Sequence, residues 1–233
     1  MSVVTSMDLP DDLPFLQGLP AAVRAELMGS ALQHSVPAGT VLFEQGDVPT
    51  FQLVVMAGSA QLFGRSKEGR EVLIEAVRAP ELVIPAAVVT SAPYLMGARV
   101  PEPSRFILFQ AETFRAAVAA DAALAQAVIG SLARQFRRMV RQIKNLKLRS
   151  SAERVGCYIL ALSARQSATG RVTLPYEKTL IASELGMTRE SFSRALAALE
   201  KSSIRVEGQT IVILDEPRLI AECRPDELID GYS

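Results

Sequence analysis

The chain has 233 residues, room for two modest domains. With 49% hydrophobic and 21% charged residues it has the makeup of an ordinary folded protein, which excludes a disordered chain. The 25 basic and 25 acidic side chains cancel to a formal net charge of zero, so any affinity for a polyanion must come from local charge.

Residues 1 to about 12 show no periodic pattern and are expected to be loose. They lack a basic start followed by an apolar core, so no signal peptide is expected, and no apolar run in the chain approaches membrane-spanning length. Residues 13–32 predict one or two short helices, with Phe15, Leu16, Leu19, Val23, Leu27 and Met28 apolar. From Val36 the period falls to two. Strands are expected at 40–44, 52–57, 60–64, 72–77 and 105–109, with glycines and prolines between them. Many short strands with regular turns predict a small barrel or roll.

Helical spacing returns near Ala111, with a short helix over 112–119. Asp121 then caps a long helix that reaches about Leu148. On it Ile129, Leu132, Phe136, Met139, Ile143 and Leu146 recur at alternating steps of three and four, a heptad seam that predicts a coiled-coil partner. Leu124, Val128 and Val140 offer a second apolar face for a core of its own. Its polar positions are basic: Arg134, Arg137, Arg138, Arg141, Lys144, Lys147 and Arg149. Most such runs are solvated surface, but this one would also raise the local positive potential.

Residues 150–152 read as a hinge. An amphipathic helix follows, with Val155, Tyr158, Ile159 and Leu162 buried, then a break at 167–170 and a short strand at 172–174. Cys157 and Cys223 form no CxxC pair, so neither a disulfide framework nor a structural zinc site is suggested, and a reducing cytoplasm is the expected setting.

Residues 174–201 read LPYEKTLIASELGMTRESFSRALAALEK. A first helix over 177–185 has Leu180, Ile181 and Leu185 on one face, and Gly186 ends it. Thr188 is a good N-cap for a second helix, with Ser191 in the place of a capping-box acid. That helix puts Phe192, Leu196 and Leu199 on one side and Arg189, Glu190, Ser193 and Arg194 toward another. Two short helices around a glycine turn make a helix-turn-helix with a recognition helix. Arg offers paired donors to guanine, Glu accepts from the cytosine amino group, and Ser reaches a base or a phosphate. Residues 204–206 and 210–214 alternate around a turn containing Gly208, which is the wing of a winged helix. The acidic residues 215–233 that follow predict one or two short helices and no assigned role.

The order of parts resembles the CRP/FNR family of bacterial transcription regulators along nearly the whole chain. The segments that carry the resemblance are AGTVLFEQGD at 38–47, FQLVVMAGSAQLF at 51–63, the long basic helix, and RVGCYILAL at 154–162 leading to GMTRESFSR at 186–194. It implies an α+β chain in three parts: N-terminal helices and a β-roll sensor like a cyclic-nucleotide-binding domain at 1–120, a dimerisation helix at 121–149, and a winged helix-turn-helix with an acidic tail at 150–233. It further implies a homodimer on a palindromic DNA operator, recruiting or obstructing RNA polymerase. The DNA-binding residues carried over are Thr188, Arg189, Glu190, Ser191, Ser193 and Arg194. Glu190, Ser193 and Arg194 match the E-x-x-S-R pattern of an FNR-type recognition helix, whereas Arg189 is similar to the cyclic-AMP-receptor type. The expected site is close to TTGAT-N4-ATCAA.

Iron–sulfur members of the family carry cysteines near the N-terminus, and this chain has none before Cys157. Members that bind cyclic AMP hold its phosphate with an Arg-Ser pair, where this chain has Tyr94 and Leu95, and read adenine with a Thr-Ser pair, where it has Met139 and Val140. A phenol and an aliphatic side chain cannot neutralise a phosphate as a guanidinium does. Glu81 survives alone. The expected effector pocket is therefore apolar, lined by Leu82, Val83, Val88, Tyr94, Met96, Phe136, Met139 and Val140. In detail the chain resembles the nitric-oxide-responsive, denitrification-regulating branch, whose members include haem binders. His34 is the single histidine and the candidate axial ligand, with Met, Cys or Tyr as substitutes. An effector-independent regulator with a collapsed pocket, a regulator that binds another small apolar ligand, and a ligand-binding interaction module without DNA affinity stay open. No enzyme is expected: GxSxG, HExxH, P-loop and Rossmann patterns are all missing.

Overall fold

The computed structural model describes residues 2–3, 16, 19–69, 71–166, 170–175 and 177–230. The chain divides into two compact units, Met1–Gln135 and Phe136–Ser233. The division falls inside the long helix.

In the first unit the chain runs β1 (Ser2–Val3), α1 (Ala21–Gly29), β2 (Leu32–Val36), β3 (Val41–Phe43), β4 (Phe51–Ala57), β5 (Ser59–Arg65), β6 (Glu71–Arg78) and β7 (Glu81–Val83). It continues through α2 (Pro85–Thr90), β8 (Gly97–Arg99), β9 (Ser104–Gln110), α3 (Ala111–Ala120) and α4 (Ala122–Leu148). Two antiparallel sheets form the roll, ordered β1-β2-β9-β4-β7 and β3-β8-β5-β6. Asp121 starts α4 as expected, its Oδ1 accepting from the Leu124 N–H at 2.7 Å.

Of the one or two short helices expected over 13–32, the described residues hold α1, which begins at Ala21; residues 13–15 and 17–18 lie outside the described residues. Leu32 already belongs to β2, which pairs with β9 from Leu32↔Leu108 to Val36↔Ser104. Pairing with that central strand overrides the local pattern. Most of residues 1–12, and Phe15, lie outside the described residues; Ser2–Val3 pairs with β2. The strands β7 and β8 and the helix α2 were not expected.

The first sheet is buried on both faces. Val36, Leu53, Val55, Val83 and Phe106 point into the roll, where they meet Phe43, Ala60, Leu62, Val77 and Ala98 of the second sheet. Their neighbours Val54, Leu82, Ile107 and Phe109 point the other way, onto Leu27 of α1, Val88 of α2, Phe114 of α3, and Leu124 and Val128 of α4. Alternation along each strand thus feeds two separate cores. Within this sheet Gln52 is a fully buried polar side chain, its Nε2 donating to the carbonyls of Leu53 at 2.8 Å and Val83 at 3.1 Å.

The second unit holds the end of α4, then α5 (Ser151–Arg165), β10 (Arg171–Thr173), α6 (Lys178–Glu184) and α7 (Arg189–Leu199). The strands β11 (Ile204–Glu207) and β12 (Thr210–Ile213) and the helices α8 (Glu216–Cys223) and α9 (Glu227–Asp230) complete it. Its core joins Val155, Ile159 and Leu160 of α5 to Ile181, Phe192, Leu196, Leu199, Ile204, Ile211 and Leu219. Burying Phe192 completely stabilises the unit by about 2–3 kcal/mol. The expected hinge at 150–152 is the N-cap and first turn of α5. Ser150 and Glu153 make a full capping box, with the Ser150 N–H donating to Glu153 Oε2 at 2.7 Å and the Glu153 N–H to Ser150 Oγ at 3.3 Å. Among the described residues no single helix is long and apolar enough to cross a membrane.

Candidate nucleic-acid interface and sensor interior

The helix-turn-helix is built by local capping. Past the end of α6 the Gly186 N–H donates to the Ser183 carbonyl at 3.0 Å and the Met187 N–H to that of Ala182 at 2.9 Å. This paired pattern needs a left-handed residue at Gly186, whose φ is +64°. Arg154 of α5 adds two donors there, from Nη1 to the carbonyls of Leu185 at 2.8 Å and Gly186 at 3.2 Å.

Thr188 caps α7, its Oγ1 accepting from the Ser191 N–H at 3.2 Å. The Thr188 hydroxyl in turn donates to Ser191 Oγ at 3.1 Å, and so does Arg194 Nη2, also at 3.1 Å. Phe192, Ala195, Leu196 and Leu199 are buried, whereas Arg189, Glu190, Ser193 and Arg194 are exposed. A hydrogen bond from its own backbone N–H is the largest cause that holds the Glu190 carboxyl below its ordinary range. At neutral pH it is therefore an acceptor only, as a contact with a cytosine amino group requires. Beside the helix-turn-helix, β10, β12 and β11 form an antiparallel sheet whose last two strands turn at Gly208. The wing is tied to α7 through the Val206 N–H, which donates to Glu200 Oε1 at 2.8 Å.

The expected effector-pocket residues are divided. Leu82 and Val88 lie in the helix-side core, while Val83 and Tyr94, with Met96 packed beside them, lie in the roll interior. Phe136, Met139 and Val140 belong to the second unit, where they are exposed on α4. Tyr94 stacks on Phe43 with ring centroids 3.7 Å apart, and its hydroxyl faces the Phe51 carbonyl at 3.5 Å. Burial first, and then the charge of Asp47, push the phenol up to about 12. Glu81 is already engaged: Ser131 of α4 donates to its Oε1 at 2.7 Å, and Gln135 donates to the Leu82 carbonyl at 3.1 Å. Ser131, Gln135 and Arg154 had no signal in the sequence, since each partner lies more than 30 residues away. His34 is exposed on β2.

A cavity of about 290 Å³ lies elsewhere, lined by residues that include Val41, Phe63, Arg65, Glu71, Gly97 and Arg99. Its charges neutralise one another. Glu71 pairs with both Arg65 and Arg99, and the Arg99 guanidinium lies 4.0 Å from the centre of the Phe63 ring.

Residues 33–121 match the model of the cyclic nucleotide-binding domain, and residues 153–222 match that of the Crp-like helix-turn-helix domain. The chain is a DNA-binding transcription regulator of the CRP/FNR type. Solved CRP/FNR-like structures agree with its fold. A regulatory protein from Silicibacter pomeroyi DSS-3 is 26% identical, with 89% of this chain and 93% of that one covered and a TM-score of 0.55. A transcriptional regulator of the Crp/Fnr family from Eubacterium rectale ATCC 33656 is 20% identical, with coverages of 91% and 98% and a TM-score of 0.72. The c-di-GMP responsive global regulator CLP of Xanthomonas campestris is 19% identical, with coverages of 83% and 99% and a TM-score of 0.70. No protein of curated function matches this CRP/FNR-type chain.

Proposed function

We propose that this CRP/FNR-type regulator works as a homodimer on a palindrome close to TTGAT-N4-ATCAA, where it recruits or obstructs RNA polymerase, and that cyclic AMP is not its effector. The observation that carries the DNA reading is the exposed edge of α7. Arg189, Glu190, Ser193 and Arg194 stand free of the core on a helix whose other face is buried. Arg194 donates to the guanine of the half-site and Glu190 accepts from a cytosine amino group. Ser193 meets thymine or the adjoining backbone, and Arg189 meets an outer guanine or a phosphate. Two-fold symmetry places two such helices about 34 Å apart in successive major grooves.

The dimer reading rests on α4. Leu124 and Val128 fill the core of the first unit, yet Ile129, Phe136, Met139 and Ile143 remain 55%, 63%, 54% and 45% exposed. They lie at heptad spacing, and a second copy of the same stripe is the self-complementary partner that covers them. Against cyclic AMP stands the filled roll: Tyr94 is packed on Phe43 where a phosphate-binding guanidinium would be needed, and Glu81 is taken by Ser131. Four of the candidate haem donors are poorly placed for ligation. His34 stands exposed on a strand surface, Cys157 and Cys223 are buried in the core of the second unit, and Tyr94 is stacked.

In vitro selection from a random DNA pool tests the operator, using wild type, Glu190→Ala and Arg194→Ala. The expected outcome is a two-fold palindrome whose guanine position relaxes in Arg194→Ala. Enrichment of no palindrome, or of the same one at full stringency in both variants, sinks the assignment of this edge.

A further inference from the structure

The acidic tail, to which the sequence assigns no role, folds back onto the junction between α4 and α5. Asp230 of α9 receives both ends of the Arg149 guanidinium, Nη1 to Oδ1 at 2.7 Å and Nη2 to Oδ2 at 2.5 Å. The Arg149 side chain is 6% exposed and that of Asp230 16%, so water competes little for this fork. Arg149 also donates to Asn145 Oδ1 at 3.2 Å, one turn back along α4. Asp230 Oδ2 accepts the Asp226 N–H at 2.9 Å as well, so the carboxylate takes three hydrogen bonds within this unit. Asp226 faces Lys144 at 3.7 Å. Two acids of the tail thus hold two of the bases that the sequence offers as open positive charge.

Arg149 is the residue immediately before the Ser150 cap of α5. The same end of α4 is held from the helix-turn-helix as well. Leu146 lies so close over Gly186 that a Cβ there would collide with its side chain, and Arg154 caps that turn. Both partners of the fork fall outside the matched segments 33–121 and 153–222, so the fork is no part of either domain pattern.

We propose that residues 226–230 are a clamp that fixes the α4–α5 junction, and that Arg149 and Asp230 are positioning residues for DNA binding. They touch no base. Their task is to hold each recognition helix at a set angle to the end of α4, so that a dimer meets two half-sites at one spacing. This rests on the homodimeric DNA-binding reading. A loose junction still lets one helix read one half-site, but the second contact must then be ordered at an entropic cost.

The test uses the full chain as wild type, Asp230→Asn, Arg149→Lys and the exchanged pair Arg149→Asp with Asp230→Arg. Lysine cannot make the fork, so it reports geometry more than charge. Binding is measured on the palindrome, on one half-site, and on palindromes with the spacer changed by one base pair. Both single variants are expected to bind the palindrome about tenfold more weakly, with half-site binding unchanged and discrimination between spacers reduced. The exchanged pair is expected to restore most of the loss. Hydrogen exchange on DNA-free protein should show faster exchange confined to residues 145–154 in the single variants.

Palindrome affinity and spacer discrimination equal to wild type would overturn the clamp. So would equal losses on palindrome and half-site, or unchanged exchange over 145–154. If wild type itself prefers no palindrome, the operator reading has failed, and the exchange measurement still decides the clamp.

Discussion

The roll interior and the edge of α7 treat polar groups in opposite ways. In the roll, Tyr94 gives its ring to Phe43 and its hydroxyl to a backbone carbonyl, and Glu81 of β7 accepts from Ser131 of α4. On α7, Arg189, Glu190, Ser193 and Arg194 face solvent, and the hydrogen bonds among Thr188, Ser191 and Arg194 are exposed and easily exchanged for others. A reading surface needs donors and acceptors that are free at little cost. Around Tyr94 the roll interior is instead packed side chain against side chain.

The comparison can be broken most strongly from the roll side. Tyr94→Ala should destabilise the first unit by about 3–5 kcal/mol, because a stacked, buried ring leaves a cavity behind. Denaturant unfolding measures it. A loss below ~1 kcal/mol would show an interior with slack, open to a ligand. Next comes the surface of intermediate character, exposed but apolar. Ile143→Asp puts a charge in the α4 seam and should weaken the dimer by ~3 kcal/mol or more. Light scattering should then show monomer, and operator affinity should fall with it; a variant that stays dimeric removes the seam.

The α7 side gives a smaller effect of another kind. Arg194→Ala should cost roughly 1–3 kcal/mol on the operator. Folding stability should stay within about 0.5 kcal/mol, as for any surface change away from a cap or core. A large loss of melting temperature would mean that the edge serves the fold.

A weaker effect in the second unit depends on pH. Burial pushes Cys157 up to about 12 and Cys223 up to about 11 from an ordinary 9.0. Each thiol therefore contributes stability that is full below the unfolded value and lost as pH rises toward the folded one. The unfolding midpoint of the second unit should decline above about pH 9 and continue to fall to pH 11–12. Cys157→Ala should flatten that decline, and an identical slope would remove the argument. The smallest effect is none at all. Cyclic AMP at ~1 mM should give no heat in isothermal titration, since Tyr94 and Leu95 stand where the resemblance calls for a phosphate-binding guanidinium and its hydroxyl partner. Micromolar affinity with tighter DNA binding would overturn the filled-roll argument.

The second unit was legible because its signals are local. Gly186, Thr188 and the spacing of Phe192, Leu196 and Leu199 sit within a few residues of what they determine. Five strands of the roll were legible from a period of two. β2 was missed because LQHSV buries one residue of five and takes its shape from β9. β7 and β8 have three residues each, too few to show a period. The pocket list failed as one set for a simple reason: Leu82 and Val83 are adjacent in a strand, so they face opposite cores. Strand parity, applied to the sequence, would have separated them. The tail contact had no local sign, since Arg149 and Asp230 are 81 residues apart.

The doubly buried sheet has a consequence for how β4 finds its place. In a sheet with one wet face, a slip of one residue drives polar side chains inward and is heavily penalised. β4 has no such safeguard: moving Leu53, Val54 and Val55 by one position exchanges apolar groups of similar size between two oily compartments. Gln52 breaks the degeneracy. Its amide N–H reaches the Val83 carbonyl in one alignment, and a slipped strand would lose that acceptor and keep only the Leu53 carbonyl of its own strand. A costly polar side chain at the centre of the sheet is thus a registration mark, and a leucine at that position would make the sheet greasier and less certain of its own alignment.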